Sequence, residues 1–243
     1  MVAFFHTILY LPIYNLLIFL LDYLPNGDVG LAVIIVTLVV SVIVMPLSIS
    51  ALRTQRAMKS VEPELNEIKI KYKDDKEAQA KETMELYRRY RINPFASILT
   101  LIVQLPVLIC LYWVFRTAHL PAVDTSLLYS FVHVPATVST VFIGLFQILG
   151  HNIPLTVITA VTQYFMASYT IPSPPKPAAN ATGSMQEELG RAMSIQARYV
   201  LPLVIAFIAY ASGAIALYFI TRNLVSIGQE FYIRRAGLKP IKI

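Results

Sequence analysis

The sequence predicts an all-α membrane protein with five transmembrane helices, an N-terminal interfacial helix and a cytoplasmic helical hairpin. The 243-residue chain is 56% hydrophobic and 14% charged, whereas soluble domains carry about a quarter charged residues. Residues 31–52 contain no charged residue and are long enough to cross a hydrocarbon core of about 30 Å as a helix. Most lysines and arginines cluster in segments that alternate with the apolar runs, which is typical of a multi-pass protein.

Five apolar runs are predicted to span the bilayer: residues 31–50, 96–116, 153–171, 197–211 and 212–233. The last two meet at Ser212-Gly213, a dipeptide suited to a tight turn. Residues 1–30 are predicted to form an outer interfacial helix and loop, because leucines and isoleucines recur there at helical spacing while Pro12, Asn15 and Asp22 interrupt the run. A sixth span over residues 3–24 is the alternative interpretation.

The basic residues predict the orientation. More than half of the 20 lysines and arginines lie in residues 51–95, others lie in 172–196 and in the tail 234–243, and residues 1–30 and 117–152 hold none. The positive-inside rule places the basic segments in the cytoplasm and the N-terminus outside. Residues 117–152 then form an outer loop, predicted to contain short helices, and residues 172–196 form a Pro-rich cytoplasmic linker.

Segment 51–95 has the apolar spacing of two packed helices. The first helix carries a heptad-like seam, and the second carries a weaker one, with residues 73–75 as the turn between them. Pro63 predicts that the first helix begins or kinks there. A solvated helical pair without any partner is the alternative. The seam residues are Met58, Val61, Leu65, Ile68 and Tyr72 in the first helix and Ala80, Thr83, Tyr87 and Tyr90 in the second.

The sequence shows no pattern of catalysis or of metal binding. Cys110 is the single cysteine, so the chain has neither an internal disulfide nor a CxxC site, and its four histidines are scattered. We therefore expect no enzyme activity, no cofactor and no metal. The net charge of +6 is explained by membrane orientation, so DNA is not expected as a partner.

Polar residues at membrane depth are the main chemical signal. Ser, Thr and Gln in a bundle commonly form hydrogen bonds between helices. An arginine at the bilayer centre costs at least ~2.5 kcal/mol on insertion scales, so it should face water or a partner. The polar residues at this depth are Thr37, Ser41, Gln104, Thr159, Thr162, Gln163, Arg222, Asn223 and Ser226.

Several short stretches, in order and in one register, resemble the YidC family of membrane-protein insertases in its single-domain bacterial form. They are residues 12–17 (PIYNLL), 30–35 (GLAVII), 45–48 (MPLS), 87–94 (YRRYRINP), 104–106 (QLP) and 223–227 (NLVSI), and residues 185–235 also follow the family's last two spans. Each stretch is weak alone, but together they cover the chain from about residue 8 to 235.

The resemblance implies an insertase and chaperone of the bacterial plasma (inner) membrane. In such proteins the five spans enclose a polar groove, open to the cytoplasm and to lipid, through which short hydrophilic segments move without a cofactor. The implied partners are nascent membrane proteins and the lipid bilayer, with the ribosome and the general translocon as further candidates. The implied groove residues are Thr37, Ser41, Gln104, Thr159, Gln163, Tyr218, Arg222 and Asn223.

Two cytoplasmic surfaces also follow from the resemblance. The hairpin is expected to recruit substrate, and the basic tail is expected to contact the ribosome or anionic lipid. The hairpin residues are Met58, Leu65, Tyr72 and Tyr87, and the tail residues are Arg234, Arg235, Lys239 and Lys242.

One position departs from the family pattern. The family usually has a groove arginine five residues before the Pro of its MPL-like motif, and here that residue is Ser41. Arg222 lies at nearly the same depth in the last span, counted at about 1.5 Å per residue. We therefore expect Arg222 to supply the groove charge. The alternative is a shifted last span in which Arg222 reaches the cytoplasmic headgroups.

Two other functional classes compete with insertion. A small channel or transporter would also use a charged residue within a bundle, although no inverted repeat is visible in the sequence. An assembly subunit that only scaffolds other membrane proteins would not need a polar groove.

Overall fold

A computed structural model describes residues 6–73, 75–90, 92, 107–110, 112–114, 122–170, 192 and 195–235. The chain divides into two compact units. The first comprises residues 1–43 and 105–228, and the second comprises residues 44–104 and 229–243. Each unit is described separately below.

Most of the described residues are helical. After a π-helical turn at His6–Tyr10, the helices are α1 (Leu11–Tyr23), α2 (Val29–Ser60), α3 (Glu62–Lys71), α4 (Lys76–Arg89), α5 (Ile153–Thr170), α6 (Leu201–Tyr210) and α7 (Gly213–Arg235). A second π-helical turn, Gln196–Val200, leads into α6. Short 3-10 turns lie at Pro25–Gly27 and Thr125–Leu127, and strands β1 (Val141–Phe142) and β2 (Phe146–Gln147) form an antiparallel pair.

Two stretches among the described residues are long and apolar enough to cross a membrane, His6–Tyr23 and Val29–Met58. A shorter apolar helix covers Gln196–Tyr210. Much of the predicted span at 96–116 and nearly all of the linker at 172–196 lie outside the described residues. The count of five spans therefore stays a prediction.

The core of the first unit lies where several helices begin or end. We call the buried residues Val33, Val36, Leu155, Ala209 and 214–219 the apolar layer. They come from the first turns of α2, α5 and α7 and from the last turn of α6. The face of α1 predicted from leucine and isoleucine spacing packs on the same core, with Ile13, Leu17 and Leu21 fully buried. The helix ends thus form one apolar closed end.

Residues 122–152, called the cap below, cover this end. For residues 117–152 the sequence predicts an outer loop with short helices; in the described part, 122–152, the structure has one 3-10 helical turn and a β-hairpin. Backbone groups attach the cap to the helices: Val29 N–H donates to Ser139 O at 3.0 Å, and Ala214 N–H donates to Ile148 O at 2.9 Å. Asn152 Nδ2 donates to Gln147 O at 3.0 Å just before α5 begins. All three helices therefore begin at the cap.

Asp28 links the start of α2 to the β-hairpin. Its Oδ1 accepts hydrogen bonds from the N–H groups of Gly30, at 2.8 Å, and Leu31, at 3.1 Å, and caps the helix. Its Oδ2 accepts a third bond from the Ile143 N–H at 2.7 Å. A carboxylate at a helix N-terminus satisfies free N–H groups and interacts favourably with the helix dipole. One buried side chain thus holds two distant segments together.

Asn15 and Tyr14 attach α1 to the cap in a similar way. Asn15 Nδ2 donates to Leu127 O at 2.9 Å, and Asn15 Oδ1 accepts from the Tyr129 N–H at 2.6 Å. The Tyr14 hydroxyl accepts from the Asp124 N–H at 3.0 Å. The polar residue that seemed to interrupt the apolar run of α1 is therefore a buried and satisfied contact.

The second unit contains the end of α2 and the packed helices α3 and α4. Val61 lies at the turn between α2 and α3. Pro63 lies in the first turn of α3, where its missing N–H costs no helical hydrogen bond. Asp75 caps α4 by accepting from the N–H groups of Glu77 and Ala78. The buried cluster between these helices consists of Ala57, Val61, Leu86 and Ile92, with Met58, Leu65, Ile68, Tyr87 and Tyr90 packed around it.

We expect Gly213→Ala to destabilise the closed end. A Cβ at Gly213 would lie 2.9 Å from the Ile148 Cα and 3.1 Å from the Gln147 carbonyl oxygen, and forced overpacking typically costs about 1–3 kcal/mol. The measurement is thermal unfolding in detergent with a thiol-reactive dye, because Cys110 is buried and becomes reactive only on unfolding.

Gly228→Ala is the matched control on the same helix. A Cβ there has nothing within 4 Å, so the substitution should leave the unfolding temperature unchanged or raise it, since alanine favours a helix by about 0.5–1 kcal/mol over glycine. Equal unfolding temperatures for the two variants would contradict the close approach of α7 to the cap.

Candidate functional site: a buried polar layer

Directly beyond the apolar layer, the same helices carry buried polar side chains. At about 1.5 Å per residue, these side chains lie between roughly 9 and 18 Å from the cap ends of their helices. The buried members of this polar layer are Thr37 and Ser41 of α2, Thr159 and Gln163 of α5, and Thr221 and Asn223 of α7, and its partly buried members are Thr162 and Arg222. An apolar closed end is thus followed at similar depth on three helices by hydrogen-bonding groups.

Two hydrogen bonds join α5 to α7 within this layer. Asn223 Nδ2 donates to Thr162 Oγ1 at 3.2 Å, and the Thr159 hydroxyl lies 3.3 Å from the Ala216 carbonyl oxygen. Thr159 is fully buried, and its hydroxyl also lies 2.8 Å from Leu155 O of its own helix. Polar contacts between apolar helices contribute about 0.6 kcal/mol each on average. They therefore fix the register of α5 and α7 more than they stabilise the pair.

Arg222 is the charged member of the polar layer. It is partly buried, and its Nη1 donates to Ser226 Oγ at 3.3 Å, one turn further along α7. Tyr218, one turn towards the cap, is buried. A guanidinium beside buried hydroxyl and amide groups makes this region attractive to an anionic or strongly polar segment.

The two predicted groove residues of α2 are also buried. The Thr37 hydroxyl donates to the Val33 carbonyl oxygen of its own helix at 2.7 Å. Ser41 is buried one turn further from the cap. Gln163 of α5 is buried too, whereas Gln104 lies outside the described residues. The sequence did not indicate Thr221, although this residue directly precedes Arg222, and its hydroxyl donates to the Leu217 carbonyl oxygen.

The predicted recruitment residues of the helix pair have mixed positions. Met58, Leu65 and Tyr87 pack around the buried cluster between the helices, so most of their surface is covered by contacts within the pair. Tyr72 lies at the turn, with the Lys71 ammonium 5.1 Å from its ring centre. The exposed apolar side chains of the pair are instead Ile70, at 78% exposure, and Met84.

Two tyrosines in this pair have perturbed acidity. The Tyr90 hydroxyl donates a hydrogen bond to the Glu64 carboxylate, which raises the pKa of Tyr90 above its ordinary value. Partial burial raises the pKa of Tyr87. Both phenols therefore stay neutral at physiological pH, and the Tyr90 bond connects the end of α4 to the start of α3.

The end of α7 carries a buried carboxylate between two arginines. Glu230 is 4% exposed, and its Oε1 lies 2.7 Å from Arg56 Nη2 and 3.0 Å from Arg234 Nε. Arg234, predicted to contact ribosome or lipid, is thus engaged in an ion pair, while Arg235 is exposed. Lys239 and Lys242 lie outside the described residues. Reasoning from the sequence missed this ion pair because its partners are 174 residues apart.

The fold and the polar layer define the class: an α-helical membrane protein with a closed apolar end and buried hydrogen-bonding groups beyond it. No group of three His, Cys, Asp or Glu in the described part of the chain could hold a metal ion.

Comparison with known proteins gives the family. Residues 21–239 match the family described as 60Kd inner membrane protein. A relative from Fusobacterium nucleatum, named membrane protein insertase YidC, is 30% identical over 93% of this chain and 98% of its own length. A relative of the same name from Clostridium tetani is 29% identical over 88% of this chain and 86% of its own length.

The chain belongs to the 60Kd inner membrane protein family, and the resemblance seen in the sequence is confirmed. It is therefore a protein of the bacterial inner membrane. A further relative of the same name, from Cellvibrio japonicus, is 30% identical over 92% of this chain but only 35% of its own length. This chain corresponds to about a third of that longer relative. Neither the family description nor the relatives' names denotes an enzyme.

We expect Glu230→Ala to destabilise the second unit. It leaves Arg56 partly buried without its carboxylate, and removing one partner of a buried pair costs up to about 3–5 kcal/mol. The cost should be smaller here because the Arg56 and Arg234 side chains are 25% and 51% exposed. The measurement is the rate of trypsin cleavage within residues 60–95, which excludes the Arg56 site and should rise.

The double variant Arg56→Met/Glu230→Leu replaces the pair with apolar side chains and should be cleaved more slowly than Glu230→Ala. Glu85→Ala, which removes an exposed carboxylate from α4, is the control and should be cleaved like the wild type. Cleavage of Glu230→Ala at the wild-type rate would show that the ion pair contributes nothing to this unit.

Proposed function

We propose that this protein inserts other membrane proteins into the bacterial inner membrane and assists their folding there. The polar layer is the observation that carries the proposal, because it lies directly beyond an apolar closed end on three helices that begin at the same cap. The family and the names of the relatives support it independently.

In this proposal the polar layer lines a groove open to the cytoplasm and to lipid. A hydrophilic segment of a nascent protein enters the groove while its apolar segment moves along the lipid-facing helices. Transfer of an unpaired polar group into an apolar medium costs about 2–7 kcal/mol. Hydrogen-bonding groups within the bilayer shorten the apolar path that such a segment must cross, so this cost falls.

The topology in the proposal follows from the charges. The cap and the N-terminus lie outside, α1 lies in the outer interface, and the bilayer is crossed five times. The α3–α4 pair, the linker at 172–196 and the basic tail lie in the cytoplasm, in agreement with the distribution of lysine and arginine. The exposed Ile70 and Met84 are suited to contact an apolar nascent segment, while the tail is suited to contact ribosomal RNA or anionic lipid. The ribosome and the general translocon remain partners within this proposal.

Arg222 supplies the positive charge of the groove in this proposal. It belongs to the polar layer and is partly buried, while the position at which the family usually has a groove arginine is the neutral Ser41. The charge attracts acidic outer segments of substrates and lowers the free energy of their passage.

We expect Arg222→Ser to lower the insertion of a short single-span protein with an acidic outer segment by about tenfold, which corresponds to about 1.4 kcal/mol. The measurement is protease protection of the substrate in liposomes that contain the purified protein. Arg222→Lys should retain much of the activity because it keeps the charge. Arg53→Ser, which removes an exposed arginine of α2, is the matched control.

The outcomes separate the competing functions. Equal insertion by wild type and Arg222→Ser would leave the insertase assignment intact and make Arg222 a structural residue. Insertion no better than in empty liposomes, together with ion leakage, would favour the channel. A substrate whose outer segment is neutral should be much less sensitive to Arg222→Ser than the acidic one.

A further inference from the structure

The cap exposes large apolar side chains although it is the segment outside the helices. Ile143 and Leu145, at the turn of the β-hairpin, are 53% and 73% exposed. Phe131 and Val134, earlier in the cap, are also exposed. Large exposed apolar residues that lie close together usually mark a surface for a partner or a membrane.

The charge content of the cap indicates whether its exposed apolar surface contacts a partner protein or a membrane. Residues 125–152 contain no Asp, Glu, Lys or Arg. A loop of that length in bulk water would carry several charged residues at the usual frequency of about a quarter. The α3–α4 pair of the same chain is rich in both signs of charge. The cap therefore has the composition of a segment at a lipid interface rather than in water.

The structure also fixes the depth of the hairpin turn. The Ile143 N–H donates to Asp28 Oδ2, and the same carboxylate caps the first turn of α2. The Phe142 ring packs so closely on Gly30 that an added Cβ there would lie 2.4 Å from Phe142 Cδ2. The turn is thus held at the first turn of α2, where the uncharged run 31–52 begins. If the uncharged run crosses the hydrocarbon core, the turn lies at the boundary between headgroups and hydrocarbon.

Residue 143 is an isoleucine in a backbone conformation that isoleucine rarely adopts. Its backbone has φ of 47°, in the left-handed region, which costs a residue with a Cβ roughly 1–2 kcal/mol. Turns of this kind favour Asn or Gly, and a β-branched residue is unusual there. The Ile143 side chain is exposed, although its backbone conformation is costly and its N–H is held by the buried Asp28 carboxylate. This combination indicates that the apolar side chain itself is needed.

We propose that the turn at residues 143–145 inserts Ile143 and Leu145 into the lipid of the outer leaflet and anchors the cap there. Burial of one such side chain contributes about 1.5–3 kcal/mol. The absence of lysine and arginine from the cap sequence means that the anchor does not depend on anionic headgroups. This inference depends on the membrane assignment, and it does not depend on the groove or on Arg222.

The test uses a fluorophore sensitive to polarity, attached to Leu145→Cys in the full chain. The single native Cys110 is buried, so it stays unlabelled in the folded protein, and wild type serves as the blank. Glu85→Cys, at an exposed position of the charged helix α4, is the matched control. Both labelled proteins are placed in nanodiscs that hold one copy of the protein, with brominated or ordinary lipids.

We expect a blue-shifted emission at position 145, strong quenching by brominated lipid and weak quenching by aqueous iodide. Position 85 should show the opposite behaviour. Equal iodide quenching at the two positions would overturn the proposal. Protection of position 145 only in nanodiscs with two copies would also overturn it, because the turn would then contact a second copy of the chain.

Ile143→Asn separates lipid contact from local stability. Asn tolerates the left-handed backbone, so the unfolding temperature in detergent should not fall. Quenching by brominated lipid at position 145 should drop by at least half, because Ile143 is the one proposed anchor side chain that remains when position 145 carries the fluorophore. Unchanged quenching in this variant would show that Ile143 makes no contribution to the anchor.

Discussion

The carboxylate of Asp28 is the interaction on which much of the first unit depends. It accepts three backbone hydrogen bonds, two from the first turn of α2 and one from Ile143. Because a carboxylate has no donor of its own, it can satisfy several N–H groups at once in a buried place. The first turn of α2 is thereby joined to a hairpin more than a hundred residues later in the chain. The position of α2 relative to the cap, and hence the depth of Thr37 and Ser41, follows from this contact.

Along the helices, the apolar layer lies next to the cap and the polar layer lies beyond it. The apolar layer excludes water at the capped end, so a polar segment could not pass through that end without large desolvation costs. The polar layer beyond it offers hydroxyl, amide and guanidinium groups, and Asn223 and Thr162 hold α5 and α7 in register there. The polar groups lie on one side of the apolar layer, which is what the proposed insertion from one face of a membrane requires.

Local patterns in the sequence predicted the helix pair of the second unit better than they predicted the cap. Pro63 lies in the first turn of α3, and Lys73 and Asp75 lie between the end of α3 and the start of α4. The β-hairpin at 141–147 was not predicted because its strands are two residues long and its turn carries Ile rather than Asn or Gly. The polar-layer residues other than Thr221 were identified from their apolar context, but their hydrogen-bond partners were not. The ion pair of Arg56 with Glu230 joins residues too distant in sequence for any local pattern to reveal.

The contacts that hold the cap join parts of the chain that are synthesised at different times. Ile143 and Asp28 are 115 residues apart in the chain, and Ser212 bonds to Ile148 across 64 residues. Contacts between such distant residues form late, because the intervening chain must first be made and brought together. The closed end therefore forms only after synthesis has passed Ala214. Until then, the Ile148 carbonyl oxygen lacks the hydrogen bonds that it accepts from the Ser212 hydroxyl and the Ala214 N–H, and the cap is not yet joined to α7.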